Sequence, residues 1–230
     1  MTVLLQDRFQ VRGRSELPFE EALRDHHGPD GADAPGRLVL AAWVPHGGGE
    51  GYEFVTLVEL RDAADLNALF RWHASAEGST WNATVQGMCY TQVSTLHELR
   101  HGTLASVRSA TEAQRAGSQG PPPLYRLDTL TVSNPVETLA DVGKQFAAGQ
   151  APGAELVVTP VACWSPLLSL LDKPEISVLY RFVDNGFRRV FEQDSPVELW
   201  SGELDLETRA TGRHTRLLRG APGVLAPPVS

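Results

Sequence analysis

The chain has 230 residues, 42% of them hydrophobic and 21% charged, enough for one large domain or two small ones. With 28 acidic against 20 basic residues the net charge is −8, which argues against a surface that tracks nucleic-acid phosphates. No apolar run reaches about 18 residues and residues 1–7 lack the regions of a signal peptide, so neither a membrane span nor secretion is expected.

Residues 3–11 alternate, with Val3, Leu5, Phe9 and Val11 on one face and Gln6, Arg8 and Gln10 on the other, the pattern of a half-buried strand. A helix follows, with Ser15 as cap and Phe19, Ala22, Leu23 and His26 on one face. A second strand over 37–44 leads through the turn His46-Gly47-Gly48-Gly49 to a third over 52–61. Asp62 then reads as the N-cap of a helix carrying Leu66, Leu69 and Phe70. After Trp81, a last strand is expected near 85–94. A connector containing His97 and His101 comes next. These two would share a face if the segment were helical. The Pro/Gly-rich stretch 116–123 is the best linker in the chain.

The same order returns beyond it. Residues 124–132 repeat the first strand at an offset of 121, so that Asp7 matches Asp128 and Val11 matches Val132. Asn134-Pro135-Val136-Glu137 is a strong helix start, followed by Leu139, Val142 and Phe146 on one face. A strand over 155–163 precedes the clearest match. There Glu53, Leu57 and Asp62 recur as Glu175, Leu179 and Asp184 at an offset of 122. A helix with Phe187, Val190 and Phe191 is expected next, then Trp200 (the counterpart of Trp81) and a closing strand near 204–211. The expected organisation is a first repeat over 1–105, a linker over 106–123, a second repeat over 124–220 and a tail over 221–230.

Each half therefore reads β-α-β-β-α-β, the ferredoxin-like order. The predicted fold class is α+β, with two such repeats pairing their antiparallel sheets into an α+β barrel. On these elements the chain resembles the dimeric α+β barrel superfamily. Its third strand, second helix and following Trp are most similar to the NIPSNAP and antibiotic-biosynthesis-monooxygenase groups. The resemblance implies a fused version of a dimer, hence a monomer or homodimer. Chlorite dismutase-like proteins are also fused double repeats and hold haem through a histidine of the second half. Here that half has only His214, in the basic run 213–216, which does not match a ligand on a cavity-lining helix.

Cofactor motifs are missing. His46-Gly47-Gly48-Gly49 has no Gly-x-Ser-x-Gly elbow to serve, and no Gly-Lys-Ser/Thr follows the glycines. His97-Glu98-Leu99-Arg100-His101 is not a His-Glu-x-x-His zinc helix. Adjacent His26 and His27 are expected to meet the negative end of a helix dipole or solvent. Cys89 and Cys163 lie in apolar runs and read as buried thiols. No cofactor and no metal are expected. The Arg-over-Lys bias, with abundant Ala, Gly and Pro, suggests a high-GC bacterial, cytoplasmic protein.

The candidate ligand-binding residues are aromatic: Trp43, Trp72, Trp81, Tyr125 and Trp164, able to stack on a planar molecule or to close the barrel. Trp72-His73 has no aromatic counterpart in the second half, which marks His73 as a catalytic candidate beside Arg8, Tyr90 and Arg181. The last three fall on the strand face expected to line the barrel, where Tyr and Arg can polarise a carbonyl. Asp7 and Asp128 fall on the opposite, apolar parity, where a buried acid needs a partner or a raised pKa. The resemblance implies a cofactor-independent cyclase, isomerase or monooxygenase acting on a small aromatic or polyketide-like molecule in the barrel cavity. The alternative is a non-catalytic NIPSNAP-like binding or assembly protein, and a second one a haem-binding chlorite dismutase-like protein. A void of a few hundred cubic ångströms would favour the enzyme, and a packed interior its rival.

Overall fold

The computed structural model describes residues 2–27, 36–45, 51–61, 63–115, 122–148, 158–167, 174–182, 206, 208–221 and 224. The first half holds β1 (Val3–Arg12), α1 (Glu16–His27), β2 (Arg37–Trp43), β3 (Gly51–Leu60), α2 (Ala63–His73), α3 (Ala76–Met88) and β4 (Cys89–Gly102). After α4 (Ala105–Arg115), the second holds β5 (Leu124–Val132), α5 (Pro135–Ala148), β6 (Val158–Pro166), β7 (Glu175–Phe182) and β8 (Ala210–Gly220). The hydrogen-bonded strand order, β1-β3-β2-β8-β5-β7-β6-β4, closes on itself. The fold is thus the expected α+β barrel of two ferredoxin-like repeats. The helix expected around Phe187, the Asp62 and Asp184 caps, Trp200 and the His46 turn lie outside the described residues. No described helix is long and apolar enough to cross a membrane.

The chain divides into two compact units, one comprising Met1–His97, Ala105–Pro122 and Arg219–Ser230, the other Glu98–Leu104 and Pro123–Leu218. In the first, β3 pairs antiparallel with β1 and β2, so that Asp7 lies opposite Thr56, Phe9 opposite Phe54, and Trp43 opposite Phe54. Cross-strand neighbours share a face. Phe19 of α1 seals that face, packing edge-on against Phe9 and Phe54 at 5.0 and 5.4 Å. The odd-numbered side of β1 is therefore covered by helices. In the second unit β7 pairs with β5 and β6. Asn134 caps α5 as expected, its side chain accepting from the Glu137 amide at 3.2 Å. Val142, Val158, Cys163, Ile176 and Val178 form a fully buried core.

Four sequence expectations are corrected. Residues 76–88 form a helix, α3, where the start of a strand was expected near 85. Ser75 caps it, accepting from the Gly78 amide at 3.2 Å, and the 3.6-residue period of this polar helix is too weak to see in sequence. His97 and His101 sit on the long strand β4, not on a helix: its even-odd polarity is blurred because both faces are partly covered. Phe70, expected on the buried face of α2, is 57% exposed. Finally, α4 (Ala105–Arg115) takes up the first ten residues of the stretch expected as linker over 106–123. It is fastened by the Thr111 hydroxyl donating to the Val39 carbonyl at 2.9 Å and by Arg108 on Glu59 at 2.6 Å.

Candidate functional site

On the helix-covered face of the first unit lies a small cavity. Its floor is the strand face that carries Asp7 and Gln92, and its walls are His26, Trp72, His73 and Trp81 from the three helices. Its volume is about 30 Å3, room for one or two waters and well short of a drug-sized ligand pocket.

Asp7 is the acid of this site. It is buried at 8% exposure in the middle of β1. Desolvation pushes its carboxyl above the usual range. Hydrogen bonds from Ser94, Thr56 and Gln92 and the charge of His73 offset only part of this. The Thr56 hydroxyl donates to it at 3.3 Å. All three donors are neutral. A buried carboxyl held by neutral donors and close to a titratable imidazole is an arrangement for moving protons.

The aromatic wall has an unexpected member. His26 is not turned to solvent. Its ring stacks on Trp81 at 4.2 Å and 13° and leans on Trp72 at 4.7 Å. Burial, then the charge of His73, lowers its pKa to about 4, so it is neutral near pH 7. The helix-end position of His26 concealed this. Helix α3, which brings Trp81 over the end of α1, accounts for it.

Of the residues selected from sequence, the structure brings His73, Trp72 and Trp81 together in the cavity. Trp43 lies outside it, packed edge-on against Phe54 at 4.5 Å and donating its indole N–H to Glu20. Arg8 is on the opposite face of β1, across from Val55. Tyr90 is 55% exposed, with the Arg12 guanidinium over its ring at 5.3 Å. Tyr125, Trp164 and Arg181 belong to the second unit, where Trp164 and Tyr125 are buried. The polar side chains around the cavity that sequence reading missed, Thr56, Gln92 and Ser94, are unremarkable strand residues. The one available signal was Asp7 itself, an acid on an apolar parity.

Among the described residues neither a metal nor haem finds a fitting set of ligands. No group of His, Cys, Asp or Glu among the described residues is arranged to hold a metal ion. His214, the only histidine of the second half, is exposed on β8, which does not suit an axial haem ligand. Both thiols are buried and pushed up by desolvation, Cys89 to about 11 and Cys163 to about 12, so neither is a ready nucleophile or ligand.

No protein-family model matches the chain. No curated protein matches it either. Solved structures do. A candidate monooxygenase from Fusobacterium nucleatum is 9% identical, over 95% of this chain and 92% of its own, with a TM-score of 0.60. An anthrone oxidase-like protein is 12% identical over 96% and 91%, with a TM-score of 0.57. A candidate monooxygenase from Lactobacillus acidophilus is 12% identical over 95% and 93%, with a TM-score of 0.53. At such identities the likeness is one of fold, and the chain has the fold of the dimeric α+β barrel proteins.

Proposed function

We propose that the protein is a small-molecule enzyme whose chemistry runs at Asp7 and His73. The observation that carries this reading is a buried carboxyl with a raised pKa, held by neutral donors in a cavity it shares with an imidazole. Such a pair can take a proton from an activated carbon or phenol and return it at another atom. The substrate class is a small aromatic or polyketide-like molecule, and the reaction a cyclisation, isomerisation or oxygenation without a bound cofactor. The names of the structural neighbours, monooxygenases and an anthrone oxidase-like protein, support that class. Trp72 and Trp81 supply the stacking surface. His26 packs against both rings, which supports a slot for a flat ring, and a planar substrate would take its place. The enzyme would work in the cytoplasm, as a monomer or homodimer.

A second reading has one observation in its favour. The cavity, at about 30 Å3, is far smaller than a substrate pocket. That suits a non-catalytic, NIPSNAP-like binding or assembly protein whose interior is filled by its own side chains.

Mass spectrometry of small molecules co-purifying with the native protein separates the two. The enzyme reading expects a planar aromatic compound that His73→Ala and Trp81→Ala proteins retain at least about tenfold less well. Retention unchanged in both variants would move the site elsewhere, and a protein that carries no such compound and takes none up from an aromatic library would leave the second reading.

A further inference from the structure

The second unit carries a different polar constellation, on the other side of its sheet. Arg181 of β7 lies directly opposite Tyr125 of β5 and Thr159 of β6. In an antiparallel ladder this places the three side chains side by side on one face. Tyr125 is 1% exposed and its hydroxyl has no hydrogen-bond partner. Burial raises the phenol to about 12 while the nearby Arg181 charge pulls it down, so Tyr125 is a donor at neutral pH. Among the described residues no acid pairs with Arg181, which is partly exposed. A buried phenol with no hydrogen-bond partner among the described residues is costly, and structures rarely keep one without a use for it.

The first half shows what a compensated version looks like. The equivalent row, at offsets of 121, 122 and 122, is Leu4, Glu59 and Arg37. There Glu59 is held by Arg108 at 2.6 Å, and Arg37 by Glu112. Every charge in that row has its counter-charge within the chain. The second-half row also has one guanidinium, but it gains two hydroxyls and has lost the carboxylate.

We propose that Thr159, Arg181 and Tyr125 form a binding site for a planar monoanion, the carboxylate or phenolate of a small organic molecule. The guanidinium fork matches two oxygens in one plane, and the phenol and the threonine hydroxyl donate at its flanks. A phosphate dianion would call for a second cation. The next guanidinium on β5, Arg126, is already committed to Asp128 at 3.0 Å. These residues belong to the second unit and Asp7 to the first, and the proposal does not depend on the enzyme reading.

Benzoate is the probe. In protein labelled at the tyrosine ring carbons, titration with sodium benzoate at constant ionic strength should shift the Tyr125 resonance saturably. Tyr125→Phe, which loses that signal, assigns it. Followed on the benzoate resonances, Arg181→Gln should weaken binding about tenfold or more, Tyr125→Phe about threefold, and Arg181→Lys to a value between wild type and Gln, since it keeps the charge and loses the fork. Asp7→Asn should leave benzoate binding unchanged. Three outcomes would overturn the proposal: no saturable shift up to tens of millimolar, Arg181→Gln binding like wild type while folded, or inorganic phosphate displacing benzoate at equal concentration.

Discussion

Asp7 and Asp128 stand 121 residues apart at the same position of the two halves, and their partners are of opposite character. Asp7 accepts from Ser94 and Gln92 of β4. At the same offset of 121 those residues become Thr215 and Arg213 of β8, and Asp128 accepts from both, at 2.8 and 2.6 Å. Leu5 becomes Arg126, which adds a second guanidinium at 3.0 Å. One carboxyl is left with neutral donors beside a cavity, and the other is locked between two cations. The same strand position thus holds a carboxyl among neutral donors in one half and an ion-paired carboxylate in the other.

Replacing Asp7 by Asn should stabilise the protein at neutral pH while removing its activity. The sign follows from the raised pKa. The folded state holds the Asp7 proton to a higher pH than the unfolded chain, so wild type loses stability as pH rises from about 3.8 through the folded value. Asn escapes that loss and can still accept from Thr56. Urea midpoints measured from pH 3 to 8 should converge at the acid end and separate above it, Asp7→Asn lying higher. Equal or lower midpoints at pH 7 would mean that the carboxyl is not destabilised by burial.

His26 should give the opposite slope. Its folded pKa of about 4 lies below the 6.5 of an unfolded histidine, so its contribution is complete above pH 6.5 and is lost as pH falls towards 4. The loss is at most about 3 kcal/mol. His26→Phe keeps the stack on Trp81 and should abolish this acid destabilisation. Imidazole carbon shifts read the same group directly: the His26 signals should stay in the neutral form down to about pH 5.

At Asp128 the expectation is structural. The carboxylate and Arg126 side chains are 1% and 4% exposed. Asp128→Ala would leave that guanidinium buried without its anion, at a cost of about 3–5 kcal/mol. Ligand retention at the Asp7 cavity, measured where the variant is still folded, should not change. A urea midpoint within error of wild type would show that Arg126 finds another anion or water.

The contrast also explains what the sequence made visible. Period-2 strands such as 3–11 and 124–132, the Asn134-Pro135 start and the offsets near 121 are local signals, and they led to the repeat and the barrel. His73, Trp72 and Trp81 stood out because they break that repeat. The site as a whole did not, because it depends on α3, whose polar sequence hides its period, and on a face assignment that favoured Arg8 and Tyr90. Asp7 is legible in the sequence only as an acid on an apolar parity, a signal it shares with the ion-paired Asp128. Gln92 and Ser94 gained meaning only from β4 lying beside β1 and from their equivalence to Arg213 and Thr215.

Gly78 tests whether the aromatic wall depends on the corner between α2 and α3. A Cβ built there would stand 2.2 Å from the Trp72 carbonyl oxygen and 2.9 Å from the His73 Cα, both backbone atoms that cannot swing aside. Gly78→Ala gains about 1 kcal/mol of helix propensity but must push α3 away from the end of α2, a strain of about 1–3 kcal/mol. The net effect should be destabilising, with Trp81 drawn away from His26 and Trp72 and a changed tryptophan emission. Gly87 on the same helix is the control: a Cβ there meets nothing within 4 Å, so Gly87→Ala should raise stability by about 0.5–1 kcal/mol and leave the emission as it is. If both variants are stabilised alike, the corner yields freely and the spacing of Trp72 and Trp81 is set elsewhere.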